Sequence, residues 1–238
     1  ECTIRNNTAD SGGGLEVRGG MATVDDCLIT GNFAASFGGG IRVQPGRASV
    51  QRCTISNNSA NMGAGVWCYG ADAIFTDCTI SGNNAQADGG GAYVTGDGRF
   101  IGCRITGNAA VSQSGGLRFQ GPSQTAGADN CWISENTCGS RGALTIIDSA
   151  TPDISNCDIF GNGTMGWGGG GIHCEYRSAP TITNCTIAGN TSTDSSGGLY
   201  SMSGCSPHIE ACLFDGNHSR NNGGGVELDG GQALMSNC

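Results

Sequence analysis

The sequence contains no lysine, although its 238 residues include eleven basic side chains, all of them arginine. Without a side-chain amine the chain cannot form Schiff-base intermediates, and it cannot form lysine-derived isopeptide crosslinks. Long apolar runs are also missing, since none approaches the ~20 residues that a membrane-spanning helix needs. We therefore expect no membrane insertion by this segment.

Charged residues are scarce, and most of them are acidic. Twenty Asp and Glu residues stand against the eleven arginines, which gives a net charge of −9. A surface with this excess of negative charge repels phosphate backbones and anionic lipid headgroups. Nucleic acid is therefore not an expected partner.

Glycine is the residue that the sequence has in excess, with 44 of 238 positions. Glycine in a helix interior costs roughly 0.5–1 kcal/mol relative to alanine, so this composition disfavours long helices. The glycines are also clustered, as at 12–14, 38–40, 89–91 and 223–225. The clusters predict recurring sharp turns.

A repeat of about 26 residues runs through the whole chain. Ten cysteines, separated by 25 to 28 residues, mark it: Cys2, Cys27, Cys53, Cys78, Cys103, Cys131, Cys157, Cys185, Cys212 and Cys238. Two places after each of the first nine stands isoleucine or, once, phenylalanine. Five places after each stands asparagine without exception: Asn7, Asn32, Asn58, Asn83, Asn108, Asn136, Asn162, Asn190 and Asn217. The sequence thus predicts nine coils, numbered here from the cysteine that opens each.

Short alternations of apolar and polar residues follow the glycines, as in Leu15-Glu16-Val17. A period of two indicates a strand with one buried face. With two or three such strands per coil, the repeat predicts an all-β, single-stranded, right-handed parallel β-helix, one domain over residues 1–238. Val24 to Asn32 also fits a leucine-rich repeat, but an apolar helical segment would then follow the asparagine, whereas glycines and a second strand follow it here.

Both ends of the sequence resemble cut points within a longer protein. The chain opens on Glu1-Cys2 without a methionine and closes on Asn237-Cys238. We therefore expect an uncapped segment of a longer repeat protein.

The repeated asparagines predict an internal ladder. A primary amide has two donors and one acceptor, so stacked asparagines can bond both the turn backbone and each other. Aspartate at the same place would stack like charges in a poorly solvated interior. The glycine clusters are expected at a second corner, where positive φ and the absence of a Cβ are needed.

The ten regularly spaced cysteines are expected to face inward as free thiols. Each stands two places before a buried apolar residue, and buried free cysteine behaves as a small hydrophobe. Metal sites use converging ligands at C-x-x-C-type spacing, which is missing here, so neither a metal nor a cofactor is expected. Four further cysteines, Cys68, Cys138, Cys174 and Cys205, lie off the ladder, and their thiol or disulfide state is left open. A Cys174–Cys205 disulfide between successive coils is one alternative.

Function must be sought in rows of outward residues, one per coil. The middle position of the strand after the glycines gives the row Glu16, Arg42, Trp67, Tyr93, Arg118, Thr145, His173, Tyr200 and Glu227. Aromatic faces beside charged groups are typical of carbohydrate sites, so the candidate binding residues are Trp67, Tyr93, Arg118, His173 and Tyr200. The alternative is that aromatic residues suit exposed strand positions generally.

No catalytic residues are assigned. Catalysis would need two carboxylates, or an acid and a base, converging on one face. The three histidines, His173, His208 and His218, belong to different parts of the coil. A second outward row begins at Thr3 and includes several threonines, which hints at an ice-binding face, but Arg104 and Trp132 interrupt it.

The coil resembles the repeats of chlamydial polymorphic outer-membrane proteins and related bacterial surface β-helix proteins. Their G-G-A-[ILV] motif matches Gly39-Gly40-Ile41, Gly90-Gly91-Ala92 and Gly224-Gly225-Val226, and their F-x-x-N motif matches Phe214 to Asn217. The resemblance spans the chain. It implies a secreted or surface-displayed scaffold, often an adhesin.

These observations predict a non-enzymatic structural or adhesive segment of a large extracellular or cell-surface protein, with a polysaccharide or a host or neighbouring surface as partner. One alternative is a carbohydrate-active β-helix of the polysaccharide lyase or glycoside hydrolase type. Another is a filament-forming surface appendage subunit whose coils stack end to end, since open solenoid ends expose unpaired strand edges.

Overall fold

The structure is a computed structural model that describes residues 2–238. In this range the chain forms strands and turns and contains no helix, and each strand pairs in parallel with the equivalent strand of the next coil. The chain winds through nine coils and builds three long sheets, A, B and C. The predicted parallel β-helix is confirmed.

The strands fall into four sets along each coil. Sheet A holds Cys2–Arg5, Cys27–Thr30, Thr54–Ser56, Thr79–Ser81, Arg104–Thr106, Trp132–Ser134, Asp158–Phe160, Thr186–Ala188 and Leu213–Asp215. Sheet B holds Thr8–Ser11, Phe33–Phe37, Ser59–Met62, Asn84–Asp88, Ala109–Gln113, Thr137–Ser140, Gly163–Thr164, Thr191–Ser192 and His218–Ser219. Sheet C first receives Leu15–Arg18, Ile41–Gln44, Val66–Thr76, Ala92–Ile101, Leu117–Gln120, Leu144–Ile147, Ile172–Cys174, Leu199–Met202 and Val226–Asp229. Sheet C also receives Met21–Asp25, Arg47–Gln51, Gly127–Asp129, Asp153–Ser155, Thr181–Thr183, His208–Glu210 and Leu234–Ser236.

Most coils therefore have four strands rather than the two or three predicted. In coils 3 and 4 the last two strands merge into Val66–Thr76 and Ala92–Ile101, which pair along their length. The pairing continues because a register shift between Tyr69 and Ala71 accommodates one extra residue, Gly70, with φ of 58°. The other coils break the strand at this point.

Two corners of each coil use one residue in the left-handed region, and this residue stands immediately before the ladder cysteine or the ladder asparagine. Asp77 before Cys78 has φ of 51°, and Gly107 before Asn108 has φ of 62°. Glycine, asparagine and aspartate tolerate this conformation better than other residues, and they occupy most of these positions. The sequence analysis missed this use of left-handed residues.

The glycine clusters form the third corner, where the expected role of positive φ holds only for the first glycine. Gly38 has φ of 66°, whereas Gly39 and Gly40 do not enter the left-handed region. At these two positions the neighbouring coil lies too close for a side chain. A Cβ on Gly39 would lie 2.5 Å from the Ser59 carbonyl oxygen, and one on Gly40 would lie 2.5 Å from that of Gly65.

The asparagine ladder is confirmed. The side-chain amide of Asn83 donates to the Ile55 carbonyl oxygen at 2.9 Å and to Asn108 Oδ1 at 2.9 Å. Its backbone N–H also donates to Asn108 Oδ1, at 3.0 Å. The same pattern links the column from Asn7 to Asn217, and its seven middle members are buried. Each asparagine thus satisfies the turn of one coil and joins it to the next.

The ladder cysteines from Cys53 to Cys212 are buried as predicted, and all fourteen cysteines are free thiols. The thiol of Cys131, for example, donates to the Phe100 carbonyl oxygen at 3.5 Å and to that of Asp129 at 3.4 Å. Of the off-ladder cysteines, Cys138 packs among small alanines, while Cys68, Cys174 and Cys205 are fully buried. Burial raises the pKa of the Cys68 thiol to about 12.

Candidate functional site

The predicted carbohydrate row points away from the core, but it is not exposed. The side chains of Trp67, Arg118, His173 and Tyr200 are all buried, and Tyr93 is half-buried. The prediction that this row presents open aromatic faces is therefore wrong. We call these residues, together with Arg42, the strand-C row.

A second set of side chains, from the end of the sheet B strands or the segment that follows them, covers the strand-C row. We call it the corner row: Phe37, Asp88, Gln113, Arg141 and Trp167. Each member directly precedes a residue with positive φ that turns the chain into sheet C. The ring of Phe37 stacks on Trp67 with centroids 4.8 Å apart, and Trp167 meets His173 edge to face at 5.3 Å. The two rows therefore pack against each other outside the core.

Arg118 holds the corner row against the strand-C row in the first part of the rod. It donates to Gln113 Oε1 at 2.7 Å and lies 3.6 Å from Asp88 Oδ2. It also donates to Gln120 Oε1 at 3.1 Å, and its guanidinium lies 5.1 Å from the centre of the Tyr93 ring. A buried arginine held by this many partners acts as a fixed structural element.

Arg141 organises the second part. It donates to Gln113, and its Nη2 lies 2.7 Å from Glu175 Oε2. The same carboxylate oxygen lies 3.3 Å from His173 Nε2. The guanidinium also lies 5.2 Å from the centre of the Trp167 ring. An acid, a base and a cation thus meet in one buried cluster, which we call the Glu175 cluster.

Burial and pairing shift the protonation of this cluster in a consistent direction. Burial lowers the pKa of His173, although the hydrogen bond to Glu175 opposes the shift. Burial raises the pKa of Glu175, but His173 and Arg141 together more than offset it, so this pKa is lowered. Both effects favour a neutral histidine beside an ionised glutamate.

Some buried polar atoms of these rows lack a hydrogen-bond partner among the described residues. They include His173 Nδ1, Thr145 Oγ1, Arg141 Nε and Asp88 Oδ1. No group of three or more metal-ligating side chains is placed to hold a metal ion within residues 2–238. The Glu175 cluster is therefore buried, with its charged groups paired to each other and some of its nitrogen atoms left without a partner.

The outward face of sheet A, in contrast, is open along the rod. The position after each ladder cysteine gives a row that is exposed or half-buried in every coil: Thr3, Leu28, Thr54, Thr79, Arg104, Trp132, Asp158, Thr186 and Leu213. A parallel row carries hydroxyl groups that bond between coils, as from Ser56 Oγ to Thr30 Oγ1 at 3.1 Å. Because the coils are in register, these residues form one flat strip.

A pocket of about 450 Å³ lies on this strip. It is lined by the rings of Trp132 and Phe160, by Ala188, and by the polar side chains of Asp158 and Thr186. The two rings meet edge to face with centroids 4.4 Å apart. Trp132 is 37% exposed. We call this the Trp132 pocket.

Neither the Glu175 cluster nor the Trp132 pocket is predicted from the sequence. The corner row could have been found from its position, because each of its members stands just before a turn residue. Trp132 was noticed only as an interruption of a threonine row. No repeat motif marks Phe160 and Ala188, whose side chains make the pocket.

Comparison with known proteins identifies the fold. A family model described as a right handed beta helix region matches residues 13–187 and 116–238. No curated protein and no solved structure matches the chain. Among the described residues there is also no helix that is long and apolar enough to cross a membrane.

Proposed function

The chain belongs to the right-handed β-helix family, and we propose that it is a non-enzymatic structural and adhesive segment of a large extracellular or cell-surface protein. The observation that carries this proposal is the open strip of sheet A, in register over nine coils. A rigid, flat and repetitive surface suits contact with an extended partner such as a polysaccharide or a neighbouring cell surface.

The covered strand-C row supports a structural role for the buried charged residues in and beside it. Arg118 and Arg141 are used to hold the corner row, and their partners face each other rather than solvent. The resemblance of the G-G-A-[ILV] and F-x-x-N motifs to bacterial surface β-helix proteins supports display outside the cell. The negative net charge supports a partner other than nucleic acid.

Adhesion to polysaccharides and glycans tests the proposal. The purified chain is coated on beads and measured for retention on insoluble polysaccharides and on a glycan array, while product release is followed in parallel. We expect retention without turnover. The double variant Thr54→Glu/Thr79→Glu, on the open strip, should lower retention at least tenfold.

The matched control is Thr181→Glu/Thr183→Glu, because these threonines are also half-buried and outward but lie in sheet C. It should retain the binding of the unmodified chain. Equal retention by both double variants would contradict the adhesive role of sheet A, and steady release of cleaved product would contradict the non-enzymatic role.

A carbohydrate-active enzyme is the second candidate, favoured by the contact of His173 with Glu175 at 3.3 Å. An acid and a base at this distance can serve proton transfer if a substrate reaches them. Incubation with uronate polymers, followed by reducing-end and unsaturated-product assays, tests this candidate. Turnover that disappears in Glu175→Gln, in a variant that remains folded, would favour it over the first.

A further inference from the structure

We propose that the Trp132 pocket binds an uncharged pyranose unit of a glycan. The proposal rests on the adhesive function above, since it names the ligand class and the place of contact on sheet A. It depends on three features of the pocket: its shape, its free polar groups and the sign of the charges around it.

The shape of the pocket comes from small residues in coils 7 and 8. Phe160 pairs in register with Ala188, where coils 3 and 4 carry serine at the same position. Gly161 and Gly189, which turn the next corner, also line the pocket and leave it open. The volume is about 450 Å³, and the pocket is shallow and open to solvent. The strip is thus indented beside its largest aromatic side chain.

The aromatic rings supply an apolar wall. Trp132 is fixed by a hydrogen bond from its Nε1 to Ser134 Oγ at 3.1 Å, and the guanidinium of Arg104 lies 5.1 Å from its ring centre. An aromatic ring held in one orientation loses little conformational entropy on binding. The apolar C–H face of a pyranose ring is the surface that fits against such a wall.

The polar groups of the pocket are available to a ligand. Asp158 and Thr186 are neighbours in register on adjacent strands. In the part of the chain that the structure describes, neither makes a side-chain hydrogen bond, whereas Ser134 nearby is already bonded. A carboxylate acceptor and a hydroxyl group, placed beside an apolar wall, suit the adjacent hydroxyl groups of a sugar.

The carboxylates around the pocket disfavour an acidic sugar, and the guanidinium of Arg104, which contacts the Trp132 ring from coil 5, does not line the pocket. Asp158 lines it, and Asp215 follows Ala188 in register on the next coil. The chain as a whole carries a net charge of −9. Because the closest of these carboxylates would face the ligand directly, a uronate would be repelled. An uncharged pyranose keeps the aromatic contact and the hydrogen bonds without this repulsion.

Titration of oligosaccharides into the chain tests the proposal, with binding followed by calorimetry and tryptophan fluorescence. The probes are uncharged gluco-, manno- and galacto-oligosaccharides, an N-acetylhexosamine oligomer and an oligouronate of equal length. We expect at least one uncharged probe to bind at least tenfold more tightly than the oligouronate. Trp132→Ala should raise its Kd at least tenfold, while Trp132→Phe should retain part of the affinity.

Trp167→Ala is the matched control, because Trp167 is also 37% exposed and also lies beside an arginine, but belongs to the corner row. It should change the Kd less than twofold. Asp158→Asn should weaken binding of the uncharged probe and reduce the discrimination against the oligouronate. Far-UV circular dichroism and urea midpoints confirm that each variant is folded.

Three results would overturn the proposal: no binding of any uncharged probe, preferred binding of the oligouronate, or equal losses in the folded Trp132→Ala and Trp167→Ala variants. The adhesive function is distinguishable from this site. If Thr54→Glu/Thr79→Glu abolishes retention while Trp132→Ala leaves it unchanged, the function stands and the Trp132 pocket is not its contact.

Discussion

The guanidinium of Arg141 lies 2.7 Å from the carboxylate of Glu175, although the two residues belong to different coils. Both side chains are almost completely removed from solvent. Removing charges from water costs several kcal/mol per ion, and the cost is offset only by close, well-bonded partners. The pair therefore joins the corner row of coil 6 to the residue that follows the strand Ile172–Cys174 in coil 7.

Loss of the charge on Glu175 should destabilise the rod strongly. In Glu175→Gln the side chain keeps its size, but the guanidinium of Arg141 remains buried without its counter-charge. Breaking a buried pair in this way typically costs about 3–5 kcal/mol. The free energy of unfolding, measured by urea denaturation, should fall by that amount.

Glu210→Gln is the control for this prediction. Glu210 also stands two residues after a histidine, and His208 lies 3.8 Å from it, but both side chains are more than 40% exposed. An exposed pair contributes less than about 1 kcal/mol. If both glutamine variants lose equal stability, the buried pair does not have the structural role given to it here.

The free energy of unfolding should decrease as the pH falls, because His173 is buried in its neutral form. Because burial lowers the pKa of His173 in the folded state, the unfolded chain binds the proton first as pH drops below the ordinary value of 6.5. Stability should therefore decrease with falling pH from about neutrality until the lower, folded-state pKa is reached. Glu175, whose folded-state pKa is also lowered, should add a further loss below its ordinary value of 4.5.

Urea midpoints between pH 8 and pH 5 measure this dependence. Replacement of the buried histidine, in His173→Gln, should flatten the slope near pH 6. A slope that persists in His173→Gln would assign the pH dependence to other groups.

Thiol labelling should distinguish the buried ladder cysteines from the exposed cysteines at the two ends of the chain. Cys2 and Cys238 are exposed and Cys27 is half-buried, while the other eleven cysteines are buried. Because a thiolate is the reactive form, burial that raises the pKa of Cys68 to about 12 also suppresses its reaction. The folded chain should react rapidly at its two terminal cysteines, and all fourteen should react after unfolding without reductant.

Fewer than fourteen labelled cysteines in the unfolded chain would reveal disulfides. Cys174 and Cys205 would then be the first pair to examine by mass spectrometry.

The core could be predicted from the sequence because each of its positions recurs in every coil. The asparagines and cysteines repeat nine or ten times, and the two-residue period of a strand determines which neighbours face inward. Asn83 and Cys78 could be assigned to the interior on this basis alone. The agreement of spacing, residue type and periodicity made the fold prediction specific.

The outer surfaces could not be predicted in the same way. Burial of Trp67 and His173 depends on Phe37 and Trp167, at a position in the coil where other coils carry Met62, Asp88 or Gln113. The Trp132 pocket depends on the small size of a residue in another coil, Ala188. Such contacts follow from the path of the chain through its corners, which a row of outward residues does not specify.

The asparagine column is the physical basis of the whole account, because it holds each coil in register with the next. Asn108 accepts hydrogen bonds from the backbone and side chain of Asn83 and donates to the Ile80 carbonyl oxygen and to Asn136. Alanine at this position would leave several buried polar groups unpaired, at about 1–3 kcal/mol each. Asn84, one strand position beyond the ladder in the preceding coil, is exposed and provides the control.

The most direct test is therefore the urea-induced unfolding of Asn108→Ala beside Asn84→Ala. We predict that Asn108→Ala lowers the free energy of unfolding by about 3 kcal/mol or more, whereas Asn84→Ala changes it by less than about 0.5 kcal/mol. Equal midpoints for the two variants and the unmodified chain would contradict the stacked-coil account.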